Sequence, residues 1–352
     1  MNSRKIKVGI SVGDINGIGI EVILKTLAHP FILESCTPIV YGSLKTLTYH
    51  RKVLGIQDLT FQLIKSPEEA NPRRANLVNI WDTEIKIELG KATENGGIYS
   101  FKSLEAAILD LVDGKIDVLV TAPIHKHNIQ AAGFEFPGHT EYLESKAPGH
   151  ESLMFMVGED LKIAVVTGHI PLKQVSENIN EDSILRKLRI LDKSLKNDFW
   201  VEKPKIAVLG LNPHAGEEGS IGKEEIEIIL PAIQKAKEEK ILAFGPYPAD
   251  GFFGKADYLK FDGVLAMYHD QGLIPFKSLC FNHGVNFTAG LPFIRTSPDH
   301  GTAFDIAGKN EALETSFLEA LMLACDTFKR RTEQIDLKRN PLKFTRFTRD
   351  RD

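Results

Sequence analysis

Lys205-Ile206-Ala207-Val208-Leu209-Gly210-Leu211-Asn212-Pro213-His214 is a short apolar run that closes, through a tight turn, on a histidine. The same phrase occurs twice more, as Val165-Val166-Thr167-Gly168-His169 and as Ala266-Met267-Tyr268-His269-Asp270. An apolar run of this length without polar alternation predicts a strand covered on both faces, as in a parallel sheet packed between helices. Working outward, strands are expected over 6–12, 37–41, 116–121, 161–167, 205–210 and 262–267. Helical patterns fall between them: Ile20 to Ala28, Gly97 to Val112, Glu181 to Leu195 behind an Asn180 cap, and Lys223 to Lys240 with Glu/Lys pairs at helical spacing. Alternating strand and helix means an α/β architecture.

The bulk numbers agree with this. A chain of 352 residues is long enough for two domains of ordinary size. Apolar residues make up 43% and charged residues 26%, the balance of a soluble globular protein. A net charge of −4 argues against nucleic acid or an anionic membrane as partner. Cys36, Cys280 and Cys325 are odd in number and show no CxxC spacing, so reduced thiols and a cytoplasmic location are expected. No signal-peptide core and no apolar stretch of membrane-spanning length is seen. From Lys329 to Asp352 the chain carries nine Lys/Arg against four Asp/Glu with little apolar periodicity, which reads as a solvated or partly disordered extension.

In open α/β sheets ligands bind beyond the carboxyl ends of the strands. If the three His-terminated strands are parallel, His169, His214 and His269 open toward one edge. Imidazole is the commonest protein ligand for catalytic divalent metals, and three ligands with open positions make a catalytic rather than a structural site. One such histidine alone is an ordinary loop residue; three at equivalent strand ends point to a metal. His139 follows a Gly-containing turn and is a candidate for substrate contact, whereas His125 and His127 read as surface or structural. Lys277 and Arg295 flank Asn286, and the planar fork of an arginine suits phosphate or carboxylate. The first turn, Gly13-Asp14-Ile15-Asn16-Gly17-Ile18-Gly19, joins a strand to a helix but is neither GxGxxG nor GxxxxGK[ST].

Longer segments add a resemblance. GHTEYL at 138–143, GLNPHAGE at 210–217, MYHDQGL at 267–273 and GVNFTAGLPFIRTSPDHGTAFDIAG at 284–308 are similar to the 4-hydroxythreonine-4-phosphate dehydrogenases of pyridoxal phosphate biosynthesis, with TAPIHK at 121–126 and PADGFF at 248–253 in support. The resemblance covers the chain to about residue 325. It implies the isocitrate/isopropylmalate dehydrogenase-like fold, with two α/β domains and an interdomain cleft. These are expected over 1–135 plus 305–330 and over 136–304, with 331–352 as a basic tail. It implies one divalent metal (Zn, Mg, Co or Mn) on His169, His214 and His269. Substrate contacts are implied for His139, Thr140, Lys277, Asn286 and Arg295, and a NAD (or NADP) loop for His300, Gly301, Thr302, Ala303 and Asp305. A homodimer whose partner completes the site is also implied. The first turn departs from the family's usual GDPAGIGPE-like pattern: Ile15, Asn16 and Ile20 replace its two prolines and its alanine.

The chemistry expected is oxidation of the C3 hydroxyl of 4-phosphooxy-L-threonine, then loss of CO2 to give 3-amino-2-oxopropyl phosphate, with the metal as Lewis acid for both steps. Asp270 is the candidate orienter or base and Lys277 the candidate hydrogen-bond or proton donor. The alternatives are the same chemistry on 4-phospho-D-threonate or 4-phospho-D-erythronate, a metal-dependent hydrolase, and a non-catalytic binding protein on the same fold.

Overall fold

The computed structural model describes residues 4–131, 133–136 and 138–339. Twelve strands form one sheet: β1 (Ile6–Ser11), β2 (Cys36–Gly42), β3 (Phe61–Ile64), β4 (Ala75–Asn79), β5 (Val118–Thr121), β6 (Leu153–Val157), β7 (Lys162–Thr167), β8 (Lys205–Leu209), β9 (Leu242–Tyr247), β10 (Gly263–Tyr268), β11 (Val285–Ala289) and β12 (Arg295–Pro298). Their order is β3-β4-β2-β1-β5-β12-β11-β6-β7-β10-β8-β9. The six strands expected from apolar runs are all present, and β1, β2 and β5 are buried along nearly their whole length because helices cover both faces. The α/β expectation holds.

The sheet is mixed. From β3 to β12 every pairing is parallel, and so is every pairing from β7 to β9. Between these blocks, β12/β11, β11/β6 and β6/β7 are antiparallel. Three reversals in series make the two parallel blocks run in opposite senses. Strands β11 and β12 escape an apolar-run reading because they alternate. Arg295 and Ser297 on β12, and Asn286 and Thr288 on β11, share one face, with Asn286 opposite Ser297 and Met156. That face carries a cavity.

Helices pack as their ends predict. Glu94–Val112 starts at Thr93, whose hydroxyl accepts from the Gly96 amide at 3.1 Å. Glu181–Asp198 starts with a reciprocal capping box between Asn180 and Ser183. The pattern expected as one helix over 223–240 is instead a π turn, Glu225–Ile229, followed by Leu230–Glu238; Pro231 lacks the N–H that would continue the ladder.

The expectation of a solvated extension from Lys329 is corrected by the structure. Thr315–Arg339 is one helix, so the segment is ordered well past Lys329. It docks through Arg331, whose Nε donates to the buried Asp198 carboxylate at 2.6 Å, and through the Trp200 indole, which donates to the Arg330 carbonyl at 3.2 Å. Helix-spaced apolar side chains were sparse there because polar contacts hold it. The remainder of the expected tail, 340–352, lies outside the described residues.

Candidate active site

A cavity of about 350 Å³ opens over the polar face of β12, β11 and β6. Its walls come from the loop after β5, the start of the His139–Ser145 helix, the ends of β7 and β10, and the His269–Cys280 helix. It brings together His139, Thr140, Lys277, Asn286 and Arg295, and beside them His169, His269, His300 and Gly301. Thr302, Ala303, Asp305 and His214 are not in its wall; Asp270 borders an adjoining hollow with His169 and His269.

Arg295 is the electrostatic centre. It is 3% exposed. Its Nε and Nη2 donate to Thr121 Oγ1 at 3.0 and 2.6 Å, and Nη1 donates to Thr288 Oγ1 at 3.2 Å. No carboxylate among the described residues bonds to it; Glu141 only adds to the local field. Burial pushes its pKa down to about 9, so the guanidinium remains charged at neutral pH. A buried cation held by two hydroxyls is costly unless an anion joins it.

Neighbouring groups are likewise incomplete. His139 Nε2, Asn286 Oδ1 and His300 Nε2 are buried and have no hydrogen-bond partner among the described residues. Burial, with Arg295 and Lys126 adding to it, holds the His139 imidazole well below its usual range, so it is neutral. Orphaned buried polar atoms around one cavity are what a polar ligand satisfies.

The three strand-end histidines divide. Strands β7, β10 and β8 are adjacent and parallel, as their common edge required. His169 and His269 lie with ring centroids 5.5 Å apart. His269 Nδ1 pairs with Asp270 Oδ1 at 2.7 Å, which leaves Nε2 free as a lone-pair donor. The His169 pKa is lowered by desolvation and then by Lys126. This pair suits a divalent ion. His214 is exposed on a turn in which residues 214–218 all have positive φ. Glu225 pins that turn's base, accepting the Leu211 and Asn212 amides at 2.8 and 2.7 Å. Among the described residues no group of three or more His, Cys, Asp or Glu is placed to hold a metal, so the chain alone presents two of the three expected ligands together.

Two cavity residues were missed from sequence. Lys126 Nζ lies 3.4 Å from His169 Nε2, and Asp299 accepts from Lys277 Nζ, at 3.5 Å to Oδ1 and 3.2 Å to its carbonyl. Burial raises the Asp299 pKa against the opposing pull of Lys277. Both lie inside motifs already quoted, TAPIHK and RTSPDH, which was the available signal.

The first turn backs the expected cofactor segment. Ile18 N donates to the Thr302 carbonyl at 3.0 Å, and a Cβ on Gly17 would lie 2.7 Å from that oxygen. His125 packs on Phe304, with ring centroids 5.5 Å apart. Asn16, where the family's pattern differs, is fully buried; it donates to Thr93 Oγ1 at 2.7 Å and accepts the Glu88 amide at 2.8 Å.

The fold is of the isocitrate dehydrogenase-like α/β class, and its cavity gathers a buried guanidinium with polar groups unpartnered among the described residues. Isocitrate dehydrogenase from Methylococcus capsulatus shares that fold at 13% identity and TM-score 0.50, over 95% of this chain and 89% of that one. Residues 34–324 match the family described as Pyridoxal phosphate biosynthetic protein PdxA, and the chain belongs to it. A 4-hydroxythreonine-4-phosphate dehydrogenase of Bacteroides thetaiotaomicron is 50% identical, over 97% of this chain and 94% of that protein. A D-threonate 4-phosphate dehydrogenase of Cupriavidus necator is 40% identical, over 92% and 98%. The crystal structure of 4-hydroxythreonine-4-phosphate dehydrogenase from Klebsiella pneumoniae superposes with TM-score 0.80 at 34% identity, covering 93% of this chain and 99% of that one.

Proposed function

We propose that this enzyme oxidises and decarboxylates 4-phosphooxy-L-threonine to 3-amino-2-oxopropyl phosphate with NAD (or NADP), in the cytoplasm, for pyridoxal phosphate synthesis. The observation that carries the reading is the buried Arg295, which bonds to no carboxylate among the described residues, in one cavity with His139, whose Nε2 has no partner among them. Arg295, His139, Thr140 and Lys126 bind and orient the anionic ends of the substrate, which converts binding energy into alignment. Asn286 offers a carbonyl oxygen to the substrate's hydroxyl or ammonium. Asp270 fixes the tautomer and orientation of His269.

His169 and His269 would hold a divalent ion (Zn, Mg, Co or Mn), and His214 would have to be brought to them to serve as the third ligand. Bound there, such an ion supplies Lewis-acid polarisation of the hydroxyl to be oxidised and of the carbonyl that follows. NAD supplies the hydride acceptor, and the His300–Ala303 stretch with Asp305 would hold it against the first turn. Lys277, held by Asp299, would return a proton to the carbon that loses CO2. A homodimer fits this reading. Leu172, 73% exposed, borders a hollow of about 430 Å³ shared with His169 and His269, and a second copy seated there would cover it. We assign residues 1–135 plus 305–330 and residues 136–304 to the two sides of the cleft.

The test is NADH absorbance with purified protein, NAD, 4-phosphooxy-L-threonine and divalent metal, repeated with EDTA. Metal-dependent NADH formation is expected. The Cupriavidus necator relative favours one second reading, the same chemistry on a phosphorylated D-threonate, and signal with that substrate alone would select it. Absence of signal with both would overturn the dehydrogenase reading for this chain.

A further inference from the structure

A larger hollow, of about 510 Å³, shares no lining residue with the cavity described above. Two helices wall it. Arg186, Arg189 and Lys193 stand at i, i+3 and i+7 on Glu181–Asp198, and Arg331 and Lys338 stand seven apart on Thr315–Arg339. This spacing puts each set on one helix face. Five cations thus face two carboxylates, Glu151 and Asp198.

Both carboxylates are already engaged. Glu151 pairs with Arg186 at 3.2 Å and with Lys187 at 2.8 Å, and Asp198 accepts from Arg331 and Ser194, each at 2.6 Å. The floor carbonyls of Leu291 and Pro292 also receive Arg331, at 3.4 and 3.2 Å. Arg189 is taken by Glu239. Lys193 and Lys338 have no ion-pair partner among the described residues. The acceptors are spent and cationic donors remain, so the hollow favours an anion. Ile190 and Ile335 give it an apolar side. Its volume is that of a small-molecule site rather than a macromolecular surface.

We infer that this hollow is a second binding site, for a small phosphorylated metabolite whose charge meets Lys193 and Lys338 and whose body packs on Ile190 and Ile335. The C-terminal helix supplies Arg331, Gln334, Ile335 and Lys338 to its wall, from residues beyond 324, where the family match ends. It does not depend on the reaction proposed above.

Calorimetric titration with inorganic pyrophosphate at low ionic strength tests it. The Arg295→Ala protein, which lacks the active-site anion contact, is expected to keep one saturable site. Replacing Lys193 and Lys338 by Ala should each weaken that site about threefold, and together about tenfold. Lys193→Arg with Lys338→Arg should retain it. Should Arg295→Ala fail to fold, the otherwise wild-type chain is titrated, where two sites are expected and one of them should weaken about tenfold in the double lysine variant. No saturable binding outside the active site, or an affinity indifferent to both lysines, would overturn the proposal.

Discussion

Arg295 shows how a single buried charge declares a function. Desolvation of its guanidinium costs stability that the hydroxyls of Thr121 and Thr288 only partly offset. Arg295→Ala is therefore expected to lower kcat/KM about 10- to 100-fold, chiefly through KM, while leaving thermal stability unchanged or higher. Arg295→Lys should recover only part of the loss, since an ammonium lacks the planar fork. Steady-state kinetics beside a melting curve check this, and an unchanged KM would remove Arg295 from substrate binding. His50 makes a different point. Its Nε2–H donates to the Ile15 carbonyl at 2.9 Å, and burial pushes its pKa down to about 4. Below about pH 6.5 the unfolded chain binds a proton here that the folded chain refuses. Its contribution is fully present above that pH and is lost as pH falls toward about 4, by about 3 kcal/mol in all. Urea unfolding at several pH values should show this slope, and His50→Gln should flatten it.

Six strands were legible where burial was uniform, although β6, equally apolar and buried, was not among those expected. The apolar runs of β1, β2, β5, β7, β8 and β10 declare themselves because helices cover both faces. β11 and β12 did not, since Asn286, Arg295 and Ser297 line a cavity on one face. The helix caps at Thr93 and Asn180 are local hydrogen-bond chemistry, and the Asn180 cap was read correctly from sequence. Asn16 was not interpretable alone. It ties the first turn to Glu88 and to the Thr93 cap, elements far along the chain. Asn16→Ala should destabilise the protein by about 2–3 kcal/mol by orphaning these partners. A melting curve tests this, and a loss within the scatter of surface variants would show the turn to be held otherwise.

The molecule as a whole is organised by the reversal at the centre of its sheet. Two parallel blocks of opposite sense meet through β12, β11 and β6, and the active-site cavity lies over that junction. The C-terminal helix then straps the outside through Arg331 and Asp198. Removing the guanidinium leaves Asp198, 2% exposed, with its charge uncompensated. Arg331→Ala should cost about 1–3 kcal/mol, discounted from a fully buried pair because Arg331 is partly exposed. Chemical denaturation measures it, and no change in midpoint would mean that the helix docks without this pair.

Local patterns were enough for the α/β class, for histidines at three strand ends, for Arg295 as a candidate and for the family motifs, because strand burial, capping and turn chemistry act over a few residues. Three further features needed the fold: Lys126 beside His169, Asp299 under Lys277, and the placing of His214 on an exposed turn outside the cavity wall. Each depends on which strands become neighbours and in what sense they run. That is settled by burial of the whole apolar set at once, and no local window of the chain contains it.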